Sequence, residues 1–221
     1  MSNPIVRFIG VAGLAGLIAS VTLRAASFPG PAVDETRSEK KTETVVLAGG
    51  CFWGVEAVFD AVKGVSDAVA GYAGGSKANA HYEIVSTGTT GHAESVQVTF
   101  DPSQVSFGQL LEIYFSVAHD PTELNRQGPD EGTQYRSEIF YTTEEQKRVA
   151  EAYIQQLTAA KVFRRPIVTK VAQLQAFYRA EDYHQDYVAH NPHQPYVAYN
   201  DLPKLTNLRA TFPELLKGGK Q

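Results

Sequence analysis

The chain carries one cysteine, Cys51, and one tryptophan, Trp53, and both lie in the hexapeptide Gly49-Gly50-Cys51-Phe52-Trp53-Gly54. A cysteine attacks as its thiolate, so its reactivity depends on surroundings that favour the anion. The apolar run Val45-Val46-Leu47-Ala48 reads as a short strand. Beyond Cys51, residues Val55, Val58, Phe59 and Val62 recur at helical spacing, and Lys63-Gly64 ends the pattern. Cys51 therefore stands at a strand-to-helix junction. There, unpaired N–H groups and the positive end of the helix dipole are expected to lower its pKa. The preceding glycines allow a substrate close to the backbone. Phe52 and Trp53, beside an accessible thiol, would wall an apolar pocket suited to a methyl or thioether group. The competing reading is an inert buried cysteine among core aromatics.

Three further groups could join such a thiol. Gly91-His92-Ala93-Glu94 leads into an alternating strand, Glu94–Phe100. A carboxyl buried at that point would have a raised pKa and could donate a proton near neutrality, whereas at a surface strand end it would not. Tyr82, in a polar loop, and Tyr135, in the turn-rich stretch from Gln127 to Ser137, are phenols outside any apolar periodicity. Both could donate hydrogen bonds to a ligand oxygen. His92 and His184 open a different reading, a cysteine–histidine hydrolase. A third reading is a peptide-binding module without turnover. The sequence shows no metal-ligand spacing and no phosphate-binding glycine loop.

Several elements must hold these residues. Beyond the first strand and helix, Val65–Tyr72 reads as a second strand, and residues 76–91 as a long loop. After the third strand, Ser106 to Ala118 forms a helix with Ser106 and Gln109 as a capping box. Ser137–Tyr141 is a fourth strand, and Thr143 and Gln146 cap a helix to about Ala160, with Val149, Tyr153, Ile154 and Leu157 inward. Ile167–Val171 is a fifth strand, and the remainder is loop-rich and aromatic. The order β-α-β-β-α-β-α-β predicts an α+β fold, a two-layer α/β sandwich with a mixed sheet and a ferredoxin-like core.

The first 27 residues differ from the rest. Arg7 precedes an apolar stretch from Phe8 to Leu23, followed by Arg24-Ala25-Ala26-Ser27. This pattern predicts a secretory signal peptide, with a membrane anchor as the alternative, although the stretch is short of the ~20 residues of a full span. Export to the periplasm, or anchoring at the membrane, is therefore expected, against a cytoplasmic location. Residues 28–43 read as a polar linker and residues 44–217 as the catalytic domain. The formal net charge is −4, and no basic run follows the leader, which argues against nucleic acid as a partner. One cysteine excludes an internal disulfide. Met1 is the only methionine, so a processed chain would carry no oxidisable thioether.

The hexapeptide at 49–54, Gly-His-Ala-Glu at 91–94, Gly-Thr-Gln-Tyr-Arg-Ser at 132–137 and Ala-Glu-Asp-Tyr-His-Gln at 180–185 together resemble the A-type peptide-methionine sulfoxide reductases. Tyr72-Ala73-Gly74-Gly75, His119-Asp120-Pro121-Thr122 and Phe177-Tyr178 match as well, so the resemblance runs from about Val45 to Pro192. It implies that Cys51 attacks the sulfur of a methionine S-sulfoxide, free or in peptides, and becomes a sulfenic acid. It implies a protonated Glu94 that supplies the proton to the departing oxygen. Tyr82 and Tyr135 would hold that oxygen, Phe52 and Trp53 would cradle the methyl group, and Asp130 would support the substrate. No cofactor or metal is implied, and a monomer is expected.

Two departures from the family pattern matter. The stretch before Gly-His-Ala-Glu reads Val85-Ser86-Thr87, where many relatives have a cysteine, and no cysteine follows Pro192. An external thiol (thioredoxin, glutaredoxin or a small thiol) must therefore resolve the sulfenic acid. The tail also departs from the usual family end, so Tyr196 is not assigned to the site.

Overall fold

The computed structural model describes residues 28–35 and 41–218. The expected leader over residues 1–27, with Met1, lies outside the described residues. Among the described residues no helix is long and apolar enough to cross a membrane.

Six strands form one sheet in the order β7-β6-β1-β3-β2-β8. They are β1 (Glu43–Gly49), β2 (Val65–Ala73), β3 (Ala93–Phe100), β6 (Ser137–Tyr141), β7 (Lys170–Gln173) and β8 (Phe177–Arg179). A separate two-residue pair, β4 (Arg126–Gln127) and β5 (Asp130–Glu131), sits in the loop before β6. The sheet is mixed: β6 and β7 are parallel and every other pairing is antiparallel. The inner order β6-β1-β3-β2, with one helix after β1 and another after β3, is the ferredoxin-like βαββαβ arrangement. The α+β two-layer reading is thus the observed fold.

Strand β1 lies between β3 and β6, which explains its unbroken apolar run: Val45 to Ala48 are wholly buried on both faces. Val45 and Leu47 face the main core with Val96 and Val98 of β3, under α1 (Phe52–Asp60), α3 (Phe107–Ile113) and α4 (Glu144–Ala159). Each such side chain contributes roughly 1.5–3 kcal/mol of burial. The opposite face is covered by a smaller cluster of Val46, Ala48, Ala73, Ala93 and Phe140 with Leu174 and Phe177.

The capping box of Ser106 and Gln109 is present at α3, whose end relaxes into a π turn, Tyr114–Ala118. At α4, Thr143 accepts from the Gln146 N–H, but the Gln146 amide bonds Thr142 and the Thr44 carbonyl instead of closing the box. The helix start is thereby tied to β1. Residues 28–35 lie against these helices. The Tyr153 hydroxyl donates to Pro29 O at 2.6 Å, and Asp34 accepts from the Gly108 N–H at 2.8 Å.

Three expectations are corrected. The 76–91 loop contains a short helix, α2 (Tyr82–Val85). The fifth strand begins at Lys170, because the Val168 N–H is held by Pro121 O and residues 167–169 stay off the sheet. The remainder is not mainly loop: it adds β8, α5 (Tyr187–His190) and α6 (Leu202–Thr211), the last two packed on α1.

Candidate active site

Strand β1 ends at Gly49, and Gly50 turns the chain with φ +90°, a conformation that favours glycine. A Cβ at Gly50 would also lie 2.5 Å from the Gln127 side chain. This turn delivers Cys51 to the N-cap of α1 without a capping hydrogen bond from its side chain. The thiol residue is 8% exposed, so it is buried rather than openly accessible.

Glu94 reaches the same helix end. Its Oε2 accepts the Phe52 N–H at 3.1 Å, filling one of the unpaired donors of the first turn. The residue is 2% exposed. Burial first, and the charge of Asp130 in addition, push its carboxyl up to about 8 against the opposing Phe52 N–H. Near neutral pH the group is therefore a buried neutral acid.

The expected lowering of the Cys51 pKa is overturned. Burial pushes the thiol well above its ordinary value, and the charges of Glu94 and Asp201 act in the same direction. The backbone N–H of Trp53 and, more weakly, Lys204 oppose the rise. Desolvation outweighs the helix end because the thiol is enclosed. With Glu94 protonated below about pH 8, its part of the rise disappears and burial with Asp201 remains.

The aromatic side chains surround this pair. The Trp53 indole stacks on Tyr187 at 3.7 Å with the planes 9° apart, and meets Tyr196 edge-on at 5.8 Å. Its N–H donates to His184 Nδ1 at 3.1 Å, which leaves the neutral imidazole proton on Nε2. Phe52 lies 5.0 Å from the His184 ring and 5.9 Å from Tyr72. The Tyr82 ring is 4.4 Å from His184. Burial first, then Glu94 and Cys51, push its phenol up to about 12. The Tyr135 phenol is raised by burial, then by Glu94 and Asp130, so both tyrosines remain protonated donors. Asp130, on β5, accepts from the Tyr196 hydroxyl. The structure thus brings together Cys51, Glu94, Phe52, Trp53, Tyr82, Tyr135 and Asp130, and adds Tyr196, which the departing tail had left unassigned.

His92 is placed otherwise. It is buried, its Nδ1 accepts from the Gly75 N–H and its Nε2 bonds Ser76 O, so it braces the turn after β2. Neither His92 nor His184 is hydrogen-bonded to Cys51 among the described residues. No three His, Cys, Asp or Glu side chains gather as metal ligands among them.

The family model of peptide methionine sulfoxide reductase matches residues 43–215. The chain belongs to that family. It is an oxidoreductase, and the hydrolase and binding-module readings are set aside. Peptide methionine sulfoxide reductase MsrA 2 of Mesorhizobium japonicum is 60% identical over 174 residues, covering 79% of this chain and 89% of that protein. The Synechocystis protein of the same description is 52% identical over 192 residues, covering 86% and 90%. Among solved structures, reduced Mxr1 of Saccharomyces cerevisiae aligns with a TM-score of 0.63 at 33% identity, over 72% of this chain and 91% of that one. Methionine sulfoxide reductase A of Corynebacterium diphtheriae aligns at 0.60 with 38% identity, over 71% and 78%.

Several neighbours of these residues find their partners only in the folded chain. His184 and Tyr187 reach Trp53 from more than 130 residues away in the chain. Glu181 accepts from both the Tyr72 hydroxyl and the Tyr82 N–H, which fixes α2 over the site. Asp201 packs on Gly54, where a Cβ would lie 2.1 Å from its Oδ1. Gly54→Ala is therefore expected to destabilise. Overpacking costs about 1–3 kcal/mol, against the ~1 kcal/mol that alanine gains over glycine in a helix. A denaturant midpoint at or above wild type would contradict this contact.

Proposed function

We propose that the enzyme reduces methionine S-sulfoxide, free or within peptides, by attack of Cys51 on the sulfoxide sulfur with Glu94 as proton donor. The observation that carries this reading is the buried, neutral Glu94 carboxyl on the Phe52 N–H, in the first turn of the helix that Cys51 caps. A sulfoxide oxygen leaves poorly unless protonated, so acid and nucleophile must converge on one sulfur and one oxygen. As the Cys51 S–S bond forms, the oxygen takes the Glu94 proton while Tyr82 and Tyr135 donate to it. The thiol's own proton passes to Glu94 and on to the same oxygen, so the S–O bond breaks with release of water. A water then attacks the Cys51 sulfur, breaking the S–S bond to free the thioether and returning a proton to Glu94. The balance is sulfoxide plus thiol giving thioether plus sulfenic acid, with two electrons passing from Cys51 to the substrate sulfur. Phe52 and Trp53 receive the methyl group, and Asp130, held by Tyr196, supports the rest of the substrate.

The sulfenic acid has no second cysteine to meet. An external thiol condenses with it, releasing water and leaving a mixed disulfide, and a second thiol frees Cys51. Thioredoxin, glutaredoxin and small thiols are all chemically competent. The direct test supplies a peptide methionine S-sulfoxide with dithiothreitol and follows the loss of one oxygen by mass. Omitting the reductant and adding a sulfenic-acid trap is expected to label the protein once, on Cys51. An oxidised, inactive but unlabelled protein would sink the scheme.

Residues 44–217 act in this reading as a monomeric catalytic unit, and the 1–27 leader exports or anchors it. Full-length precursor with all its activity in the cytosol would refute the location.

A further inference from the structure

We propose that Lys204, clamped by the buried Asp201 against the first turn of α1, is a positioning residue that favours the anionic form of the Cys51 sulfur. Asp201 closes the π turn Val197–Asp201, which runs directly into α6. Its side chain turns onto Gly54 with no solvent exposure, and its Oδ1 meets Lys204 Nζ at 3.4 Å. Its Oδ2 has no hydrogen-bond partner, which is costly for a buried carboxylate. The pair holds an ammonium beside the first turn of α1, which carries Cys51. A Cβ on Gly54 would also lie 2.7 Å from Lys204 Nζ, so the glycine makes room for both partners.

The charges around the sulfur give this placement its meaning. Cys51 faces Glu94 from β3, Asp201 and Lys204 from the start of α6, and the phenols of Tyr82, Tyr135 and Tyr196. Glu94, when ionised, and Asp201 oppose an anionic sulfur, and the Lys204 charge, weaker in its effect than Asp201, offsets part of that opposition. The Lys204 side chain is only 17% exposed, so water and salt screen that charge weakly. The effect bears on both halves of the cycle. It raises the thiolate available for attack, and it stabilises Cys51 as the leaving group when the mixed disulfide is reduced. With one cysteine in the chain, every turnover returns through that leaving group.

The inference rests on Cys51 as the reacting sulfur but not on the acid assigned to Glu94. Its test needs no sulfoxide, so it fails separately from the proposed mechanism. The rate of Cys51 alkylation by iodoacetamide is followed across pH in the full chain. Lys204→Met is expected to move the midpoint up by roughly half to one unit and to slow alkylation at pH 7.5 by about three- to tenfold. Lys204→Arg, which keeps the charge, is expected to restore the wild-type profile. Superimposable profiles for Lys204→Met and wild type would overturn the proposal. So would an equal shift in Lys204→Arg, because packing rather than charge would then be the cause.

Discussion

Cys51→Ser is expected to reduce methionine sulfoxide no faster than dithiothreitol alone, a loss of at least about 10³-fold. A serine oxygen cannot take up the sulfoxide oxygen as a stable sulfenic acid, so the loss is of chemistry and not only of nucleophilicity. The variant separates that loss from unfolding. Cys51 occupies an N-cap with no capping bond from its side chain, and serine is a favoured residue there. Cys51→Ser should therefore melt at or above the wild-type temperature while losing activity. Reduction that persisted undiminished in a mass assay on an oxidised peptide would remove the nucleophile from the mechanism.

Glu94→Gln is expected to slow the reductive step by about 10²–10⁴-fold while leaving the thiol present. Glutamine preserves the shape and can still accept the Phe52 N–H, but it has no proton to give. The wild-type rate should fall as pH rises through about 8, where the carboxyl ionises, and the variant should lack that limb. Stability follows the same group with a definite sign. Its folded pKa is raised from the ordinary 4.5 to about 8, so the folded state holds a proton that the unfolded chain releases. The protein is then most stable below about pH 4.5 as far as Glu94 is concerned, and stability declines as pH rises to about 8 and levels off above it. Removing the ionisable carboxyl should stabilise the protein at alkaline pH by an amount on the order of a few kcal/mol. A variant both slower and more stable at pH 8.5 would identify Glu94 as a residue kept at a cost in stability. Unchanged single-turnover rates would contradict its role as acid.

The parts of the fold legible in the sequence are those written locally. The apolar run of β1, the spacing of Val55, Val58, Phe59 and Val62, and the Ser106–Gln109 box each need only neighbouring residues, and each appears where expected. Strand β7 is displaced because its place is set by pairing with β6 and by the bond from Val168 to Pro121 O, which no local pattern encodes. Helix α6 lacks a clear apolar stripe, with Leu208 its only fully buried residue, so it reads as loop. The site divides in the same way. Cys51, Phe52 and Trp53 announce themselves by rarity and position, and Glu94 by the strand it opens. Tyr187, Asp201 and Lys204 acquire meaning only when the C-terminal segment folds over α1, and the same folding gives His184 and Tyr196 their partners. The Cys51 pKa departs from the sequence expectation for a related reason: the helix end is visible in the sequence, but the desolvation that overrides it belongs to the tertiary structure.

The stacking of Trp53 on Tyr187, with its N–H on His184, makes the chain its own optical probe. No second indole exists to dilute the signal, so ultraviolet emission excited near 295 nm originates two residues from Cys51. Oxidation of Cys51, arrival of substrate and formation of a mixed disulfide all change the surroundings of that single fluorophore. Stopped-flow fluorescence can accordingly time the individual steps of turnover without an added dye or an engineered label.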